Sequence, residues 1–398
     1  MDTSALSRQF IKVQGLQLKC IPFAGPSRSE LRDSLSEHKL LAIGTWNQDL
    51  QRHCLSVLDL QVWTHPETGA VQQDAWQELA CWACEGRPTD VQVTMQNGNE
   101  VTILVATSSG HLSRVVLLIP QHSGATPSDV QVLNEEEFQG NTGDTMGCSP
   151  QLHSGGISAA DISSGQTQAV TVGADGAVNL VELKDWTCHC FRPASSSRSY
   201  YDAAWASRHT FVTAGTTGGL ESWDTRQGGT PVHRTPAAWH PDGRPSLPGG
   251  LDRQIHCLDI MPERQQECAA GSSGGAVSLW DLRFCRQPIL CTANADHGDV
   301  VEVKIASRGQ DAIPSSSIIY CTNAGILAQV GWPGQAVAEW QKSGFTTIPQ
   351  QETRKHSSTA DVLWQELCGG LGSFDTHAGL HQEIYCITSQ EGLLHLRL

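Results

Sequence analysis

Residues 271–275, Gly-Ser-Ser-Gly-Gly, match G-x-S-x-G, the spacing around a hydrolase's nucleophilic serine, and would make Ser273 the nucleophile. That chemistry needs a strand, a sharp turn and then a helix, which together expose the hydroxyl at the turn. Here the turn runs into "AVSLWDLR" (276–283), which alternates as a strand does. Two more small polar turns, "TSSG" (107–110) and "GTTGG" (215–219), hold the same place ahead of other strands. Ser273 therefore reads as a turn residue. Cys81-x-x-Cys84 has redox or half-zinc-site spacing, but a structural zinc site wants a second pair. Cys188-His189-Cys190 is not one, because neighbours on a strand point to opposite faces. These cysteines read as buried strand residues. The 16 histidines contain no H-E-x-x-H, and His297 in "DHGDVVEV" reads as a turn histidine ahead of a strand. No phosphate-cradling glycine loop occurs. No nucleophile, base and orienting group assemble, so the expectation is a non-enzyme with no catalytic residues, cofactor, metal or small-molecule substrate.

The elements around Ser273 recur. A β-run, a small polar turn ending in glycine and an alternating strand appear at 105–117, 170–183, 212–226, 269–283 and 319–332. The turn glycines are Gly110, Gly176, Gly218, Gly275 and Gly325, separated by 66, 42, 57 and 50 residues. Glycine suits a hairpin turn that requires positive φ. Five residues after each comes a bulky residue: Val115, Val181, Trp223, Trp280 and Val330. Two weaker copies, 41–60 and 384–398, bracket the five. A further strand precedes most units, at 90–95, 157–162, 200–205, 255–260, 300–305 and 360–365. About four strands per unit at this period is the signature of a β-propeller blade. The expected fold is all-β, a single seven-bladed propeller over residues 1–398.

The C-terminal "EGLLHLRL" ends on a strand, and "RQFIKVQG" (8–15) is a strand without a blade of its own. The N-terminal strand is therefore expected to complete the last blade, which closes the ring and removes an exposed edge. Seven blades leave residues to spare, placed in long loops at about 121–150, 227–253 and 341–359. Glu135-Glu136-Glu137 reads as solvated loop, and Trp239 as a packing residue of the proline-rich second loop.

Bulk properties narrow the function. With 26 basic against 41 acidic residues the net charge is −15, which opposes nucleic-acid binding. No apolar run approaches the roughly 20 residues of a bilayer span, so no direct membrane insertion is expected. "MDTSALSRQF" has neither the basic nor the apolar region of a signal peptide. The 14 cysteines sit mostly at strand-like apolar positions and read as reduced, buried thiols.

Trp223-Asp224 and Trp280-Asp281 are literal Trp-Asp dipeptides at blade-strand ends, each followed after one residue by an arginine. With "GTWNQD" (44–49), "VTVGADGAVNL" (170–180), "QIHCLDI" (254–260) and "DHGDVVEV" (296–303), the chain resembles the WD-repeat family. Within it the likeness is to the small nucleoporins of the Y-shaped outer-ring scaffold of the nuclear pore. That resemblance implies a non-catalytic scaffold subunit at the nuclear envelope, docked on α-helical nucleoporins and supporting pore assembly and transport of mRNA and protein. The first two long loops depart from the family pattern. So does the WD hydrogen-bond set: Gly274 stands where blade five would carry the turn Asp, and Val181 where blade three would carry Trp. A second resemblance rests on Arg226 and Arg283. A Trp-Asp-x-Arg ending is found in WD-repeat substrate receptors of cullin-type ubiquitin ligases, where the arginine would contact the adaptor; a solvated turn arginine is the simpler reading.

Overall fold

The computed structural model describes residues 6–10, 14–22, 36–47, 49–64, 71–96, 99–119, 129–137, 151–235, 254–260, 265–283, 288–293, 298–307, 316–332, 361–365, 370–377, 383–388 and 392–397. Among them are 28 strands in seven four-stranded antiparallel sheets, and no α-helix. Six sheets are meanders of four consecutive strands. Their innermost strands are Gln14–Ile21, Pro88–Gln96, Ile157–Ile162, Tyr200–Trp205, Ile255–Ile260 and Val300–Ser307. The seventh blade starts at Leu371–His377 and takes its outermost strand from the other end of the chain. Leu6–Phe10 pairs antiparallel with Gly392–Arg397, from Leu6 opposite Leu396 to Phe10 opposite Gly392.

The alternation of each strand explains the ring. Successive side chains face opposite neighbours, so each blade buries both faces. In blade five Val277 and Leu279 pack with Val303, Ile318 and Tyr320 of blade six. Trp280, Cys268 and Ala270 pack the other way, with Val212, Ala214 and Leu220 of blade four. Seven such clusters fill the seven gaps between successive blades. The last joins Tyr385, Ile387 and Leu393 of blade seven to Leu18, Leu41 and Leu58 of blade one.

Four sequence expectations shift. The strand expected at 360–365 to open blade seven is Asp361–Gln365, the outer strand of blade six, where it pairs with Ile326–Trp332. Both are short β-runs, and only the pairing distinguishes an outer from an inner strand. "RQFIKVQG" is not one strand: its first residues close blade seven, whereas Gln14 and Gly15 already pair with Trp46 and Thr45 in blade one. Glu135–Glu137 are not loop but part of Gln131–Glu137, the outer strand of blade two, where an edge tolerates charge. His233–Arg234, inside the second expected loop, forms the outer strand of blade four. The 341–359 loop, Trp239 and His297 lie outside the described residues.

Candidate functional site

All five repeat glycines sit in hairpin turns at positive φ: Gly110 at 87°, Gly176 at 73°, Gly218 at 70°, Gly275 at 71° and Gly325 at 85°. At Gly176 a Cβ would lie 2.5 Å from the carbonyl oxygen of Arg198, so the site lacks space as well as a tolerant backbone. Ser273 lies in the same kind of turn. Its amide donates to the Gln254 carbonyl at 3.0 Å, and its hydroxyl accepts from the Gln254 amide at 3.1 Å. A strand, Ala276–Asp281, follows instead of a helix. The serine ties the turn to the segment entering blade five and has no nucleophile geometry.

The bulky position five residues after each glycine is buried in every copy: Val115, Val181, Trp223, Trp280 and Val330. Trp223 stacks on Phe211 with centroids 6.0 Å apart, and its Nε1–H donates to Thr213 Oγ1 at 2.9 Å. Trp280 Nε1–H donates to Ser278 Oγ at 2.9 Å. Blade three builds most of a WD-type network without tryptophan. Asp175 Oδ1 lies 3.0 Å from His153 Nδ1, and His153 Nε2 lies 3.0 Å from Thr171 Oγ1 and 3.1 Å from Asn179 Nδ2. Burial raises the Asp175 pKa, but donation from His153, Ala177 and Ser154 outweighs it and holds the carboxyl at about 2.

The two arginines of the ligase-receptor resemblance turn back on their own dipeptides. Arg226 donates to Asp224 through Nε at 2.9 Å and Nη2 at 2.7 Å. Arg283 does the same to Asp281 at 2.9 and 2.6 Å. Asp224 and Asp281 are buried, and each also accepts the backbone N–H of its arginine, closing a tight turn at the blade strand's end. Burial raises the pKa of several cysteines. Burial, with Cys81 alongside, pushes Cys54 up to about 11, and burial pushes Cys84 and Cys188 up to about 12. Redox exchange and zinc binding both work through the thiolate, so Cys84 and Cys188 are poorly suited to either.

The sequence reading missed the channel wall. A cavity of about 690 Å³ runs along the innermost strands, and acidic residues line it. Each carboxylate accepts a backbone N–H from the next blade round the ring. Asp90 takes Ala160 at 2.9 Å, Asp161 takes Trp205 at 2.6 Å and Asp202 takes Leu258 at 2.6 Å. Asp259 takes Ile305 at 2.6 Å, Glu302 takes Phe374 at 2.8 Å and Asp375 takes Cys20 at 2.8 Å. These six bridge every junction from blade two onward, round to blade one. Their positions alternate relative to the bulge that opens each inner strand. Asp90, Asp202 and Glu302 stand two residues after Pro88, Tyr200 and Val300. Asp161, Asp259 and Asp375 stand four after Ile157, Ile255 and Leu371. At four after Gly15, blade one carries Lys19 instead. Lys19 Nζ lies 3.4 Å from Glu302 Oε1 and Lys304 Nζ 3.9 Å from the same atom.

The electrostatics follow from that crowding. Burial pushes Asp161 up to about 7, against hydrogen bonds from Trp205 and Ile162 that favour its charged form. Burial, reinforced by Asp90, raises Asp202 well above the usual carboxylate range, and burial raises Asp90 and Asp259. Burial disfavours the Lys304 ammonium, but Asp259, Asp375 and Glu302 outweigh it and raise its pKa well above lysine's ordinary value. Carboxylates that already accept two backbone or side-chain donors act as fasteners between blades. A signal was available in the sequence: an acid recurs in "TDVQ", "AADI", "YYDA", "CLDI", "VVEV" and "SFDT", each on an inner strand.

No family model matches the chain. Curated relatives do. A protein of Arabidopsis thaliana, "Nuclear pore complex protein NUP43", is 30% identical over 270 residues, covering 63% of this chain and 68% of that protein. "Nucleoporin Nup43" of Homo sapiens is 29% identical and that of Mus musculus 24%, each over 218 residues, 54% of this chain and 48% of the relative. The matched segment thus spans about two thirds of the plant protein and about half of the mammalian ones. None of these relatives carries a ligase-receptor name, and the cullin reading finds no support among them.

Proposed function

This chain belongs to the Nup43 family of nucleoporins, and from that membership we propose that it is a non-catalytic scaffold subunit of the nuclear pore complex. Its place is the Y-shaped outer ring, at the nuclear envelope, where it supports pore assembly and the transport of mRNA and protein. Its partners are other nucleoporins, α-helical scaffold subunits among them. The observation that carries the reading is the 30% identity extending over 68% of the plant nucleoporin. The closed ring supports it, since a propeller offers rigid loops and blade edges for docking. So does the chemistry of the polar groups: Ser273 holds a turn, and the channel carboxylates hold blades together. The test is affinity purification of the tagged chain with fluorescence imaging of the same tag. Recovery of outer-ring nucleoporins and a nuclear-rim signal are expected. Recovery of a cullin adaptor without nucleoporins, or a signal away from the envelope, would overturn the proposal.

A further inference from the structure

The net charge of −15 makes any concentration of arginines on this chain an anomaly. One exists between blades three and four. Arg192, Arg198 and Arg234 converge on a single carboxylate, Glu221, which is 5% exposed. Arg234 Nε lies 3.0 Å from Glu221 Oε1, Arg192 Nη1 lies 3.7 Å from Oε2, and Arg198 Nη1 bonds Oε1. The second oxygen, Oε2, also accepts from Tyr200 Oη at 2.8 Å. Three cations face one anion, so two positive charges stay uncompensated within the cluster.

The cluster borders a groove. A cavity of about 750 Å³ opens there, lined by Arg192, Pro193, Thr230, Pro231, Val232 and Arg234 among others. Its two walls come from different blades. Arg192 ends the outermost strand of blade three, Thr187–Arg192, and Arg234 lies on the two-residue outer strand of blade four. Arg192 is fixed from behind, its guanidinium 5.4 Å from the Trp223 ring centroid and 6.0 Å from that of Tyr200. Arg234 is 50% exposed and Val232 is 40% exposed. The groove therefore joins a rigid guanidinium, an accessible guanidinium and an apolar floor of prolines and valine.

We propose that this groove is a docking site for an acidic, extended segment of a partner protein. The fit is one of charge and shape together. Guanidinium forks take carboxylates with two hydrogen bonds, and Arg is the cation that interfaces favour. The prolines and Val232 cover the apolar stems of glutamate side chains, a contact that a phosphate chain does not offer. The proposal deepens the scaffold reading by naming a surface and a partner chemistry, and it rests on that reading only for the partner's identity.

The test uses the whole chain and a fluorescein-labelled hexaglutamate peptide, followed by fluorescence anisotropy. Binding is expected at low salt and should weaken as ionic strength screens the arginines, over about 50 to 500 mM. Arg234→Ala should weaken it about fivefold or more, in line with loss of one charge pair. Val232→Asp leaves every arginine in place and puts a like charge on the groove floor, and it should weaken binding at least as much. Arg283→Ala, far from the groove, should leave binding unchanged. Thermal unfolding of each variant separates lost binding from lost fold. Peptide binding that ignores both groove substitutions would overturn the proposal, as would no salt-dependent binding at all. An oligonucleotide of equal charge that displaces the peptide at equal concentration would overturn the choice of a protein segment. Recovery of nucleoporins by the wild-type chain tests the scaffold reading separately.

Discussion

The inner wall and the outer edge of this ring treat charge in opposite ways. On the inner wall every bridging carboxylate is committed: Asp161 accepts from Trp205 of the next blade and from Ile162 of its own. At the outer edge, charges are in surplus: three arginines share Glu221, and Arg234 stands half exposed on a strand of two residues. The inner strands are bound on both sides by packed blades, so a charge there must be satisfied or it costs several kcal/mol. The outer strands face water on one side and can hold charge for a partner. Position across the blade decides whether a charged residue builds the ring or is offered to something else.

The largest expected effect comes from the one outer strand that also builds the ring. Leu6–Phe10 makes five register pairs with Gly392–Arg397 and is the outermost strand of blade seven. Deleting residues 1–10 exposes the edge of Gly392–Arg397 and removes the strand that ties the start of the chain into blade seven, leaving side-chain packing and the Cys20–Asp375 hydrogen bond between blades seven and one. The melting temperature should fall by about 10 °C or more, with concentration-dependent aggregation as the bare edge pairs with other chains. A deletion variant that melts like the full chain would show the outer edge to be dispensable everywhere. Smaller than this, but still large, is Trp223→Ala. Trp223 is fully buried between blades three and four and donates its indole N–H to Thr213. Its loss should cost about 3–5 kcal/mol in chemical denaturation. A cost under about 1 kcal/mol would mean that the blade gap collapses around the cavity.

How far the sequence revealed this division depends on what each part requires of residue type. The turns were legible because a positive-φ hairpin selects glycine, and all five repeat glycines hold such turns. The buried face was legible because Trp223 and Trp280 follow those glycines at a fixed offset. The channel acids were visible as letters but not as a set. They alternate between two positions on successive blades, and the bulge that aligns them is a backbone feature no residue type announces. The outer strands were least legible. Asp361–Gln365 read as an inner strand and Gln131–Glu137 as loop, because an edge strand pairs on one side only and tolerates almost any composition. The arginine cluster comes from positions 192, 198 and 234, which only the packing of blade three on blade four brings together.

The inner wall's commitment should also show as a pH dependence. Asp161 titrates at about 7 in the folded chain, whereas an unfolded aspartate titrates near about 3.9. The folded state therefore holds a proton that the unfolded state has lost between those values. Its contribution to stability is fully present below about pH 4 and falls away as pH rises to about 7. Histidines work against this trend: burial lowers the pKa of His53 and His256, which favours the folded state at higher pH. The clean measurement is the difference between wild type and Asp161→Asn in denaturant unfolding at pH 5, 6, 7 and 8. The variant should lose about 1–2 kcal/mol less than wild type across that range. Parallel curves for the two proteins would mean that the carboxyl is ionised throughout, and that the fastener works as a charge-assisted bond.

The smallest effect should come from the arginines after the Trp-Asp dipeptides, and its size sharpens the comparison. Arg283 is 43% exposed and Arg226 67% exposed, each pairing with the buried aspartate two residues before it. The aspartates Asp224 and Asp281 are already held by the backbone N–H groups of those same residues. Solvent screens such pairs, so their net worth is small despite good geometry. Arg226→Ala and Arg283→Ala, alone or together, should each move the melting temperature by no more than about 2 °C. The double variant should also keep its nuclear-rim signal, because the guanidiniums are engaged within their own blades. A fall of about 5 °C or more would place these arginines with the inner-wall fasteners, as charges that hold a blade's end in position. An unchanged melting temperature with loss of the rim signal would instead place them with Arg234, as outer-edge charges available to a partner.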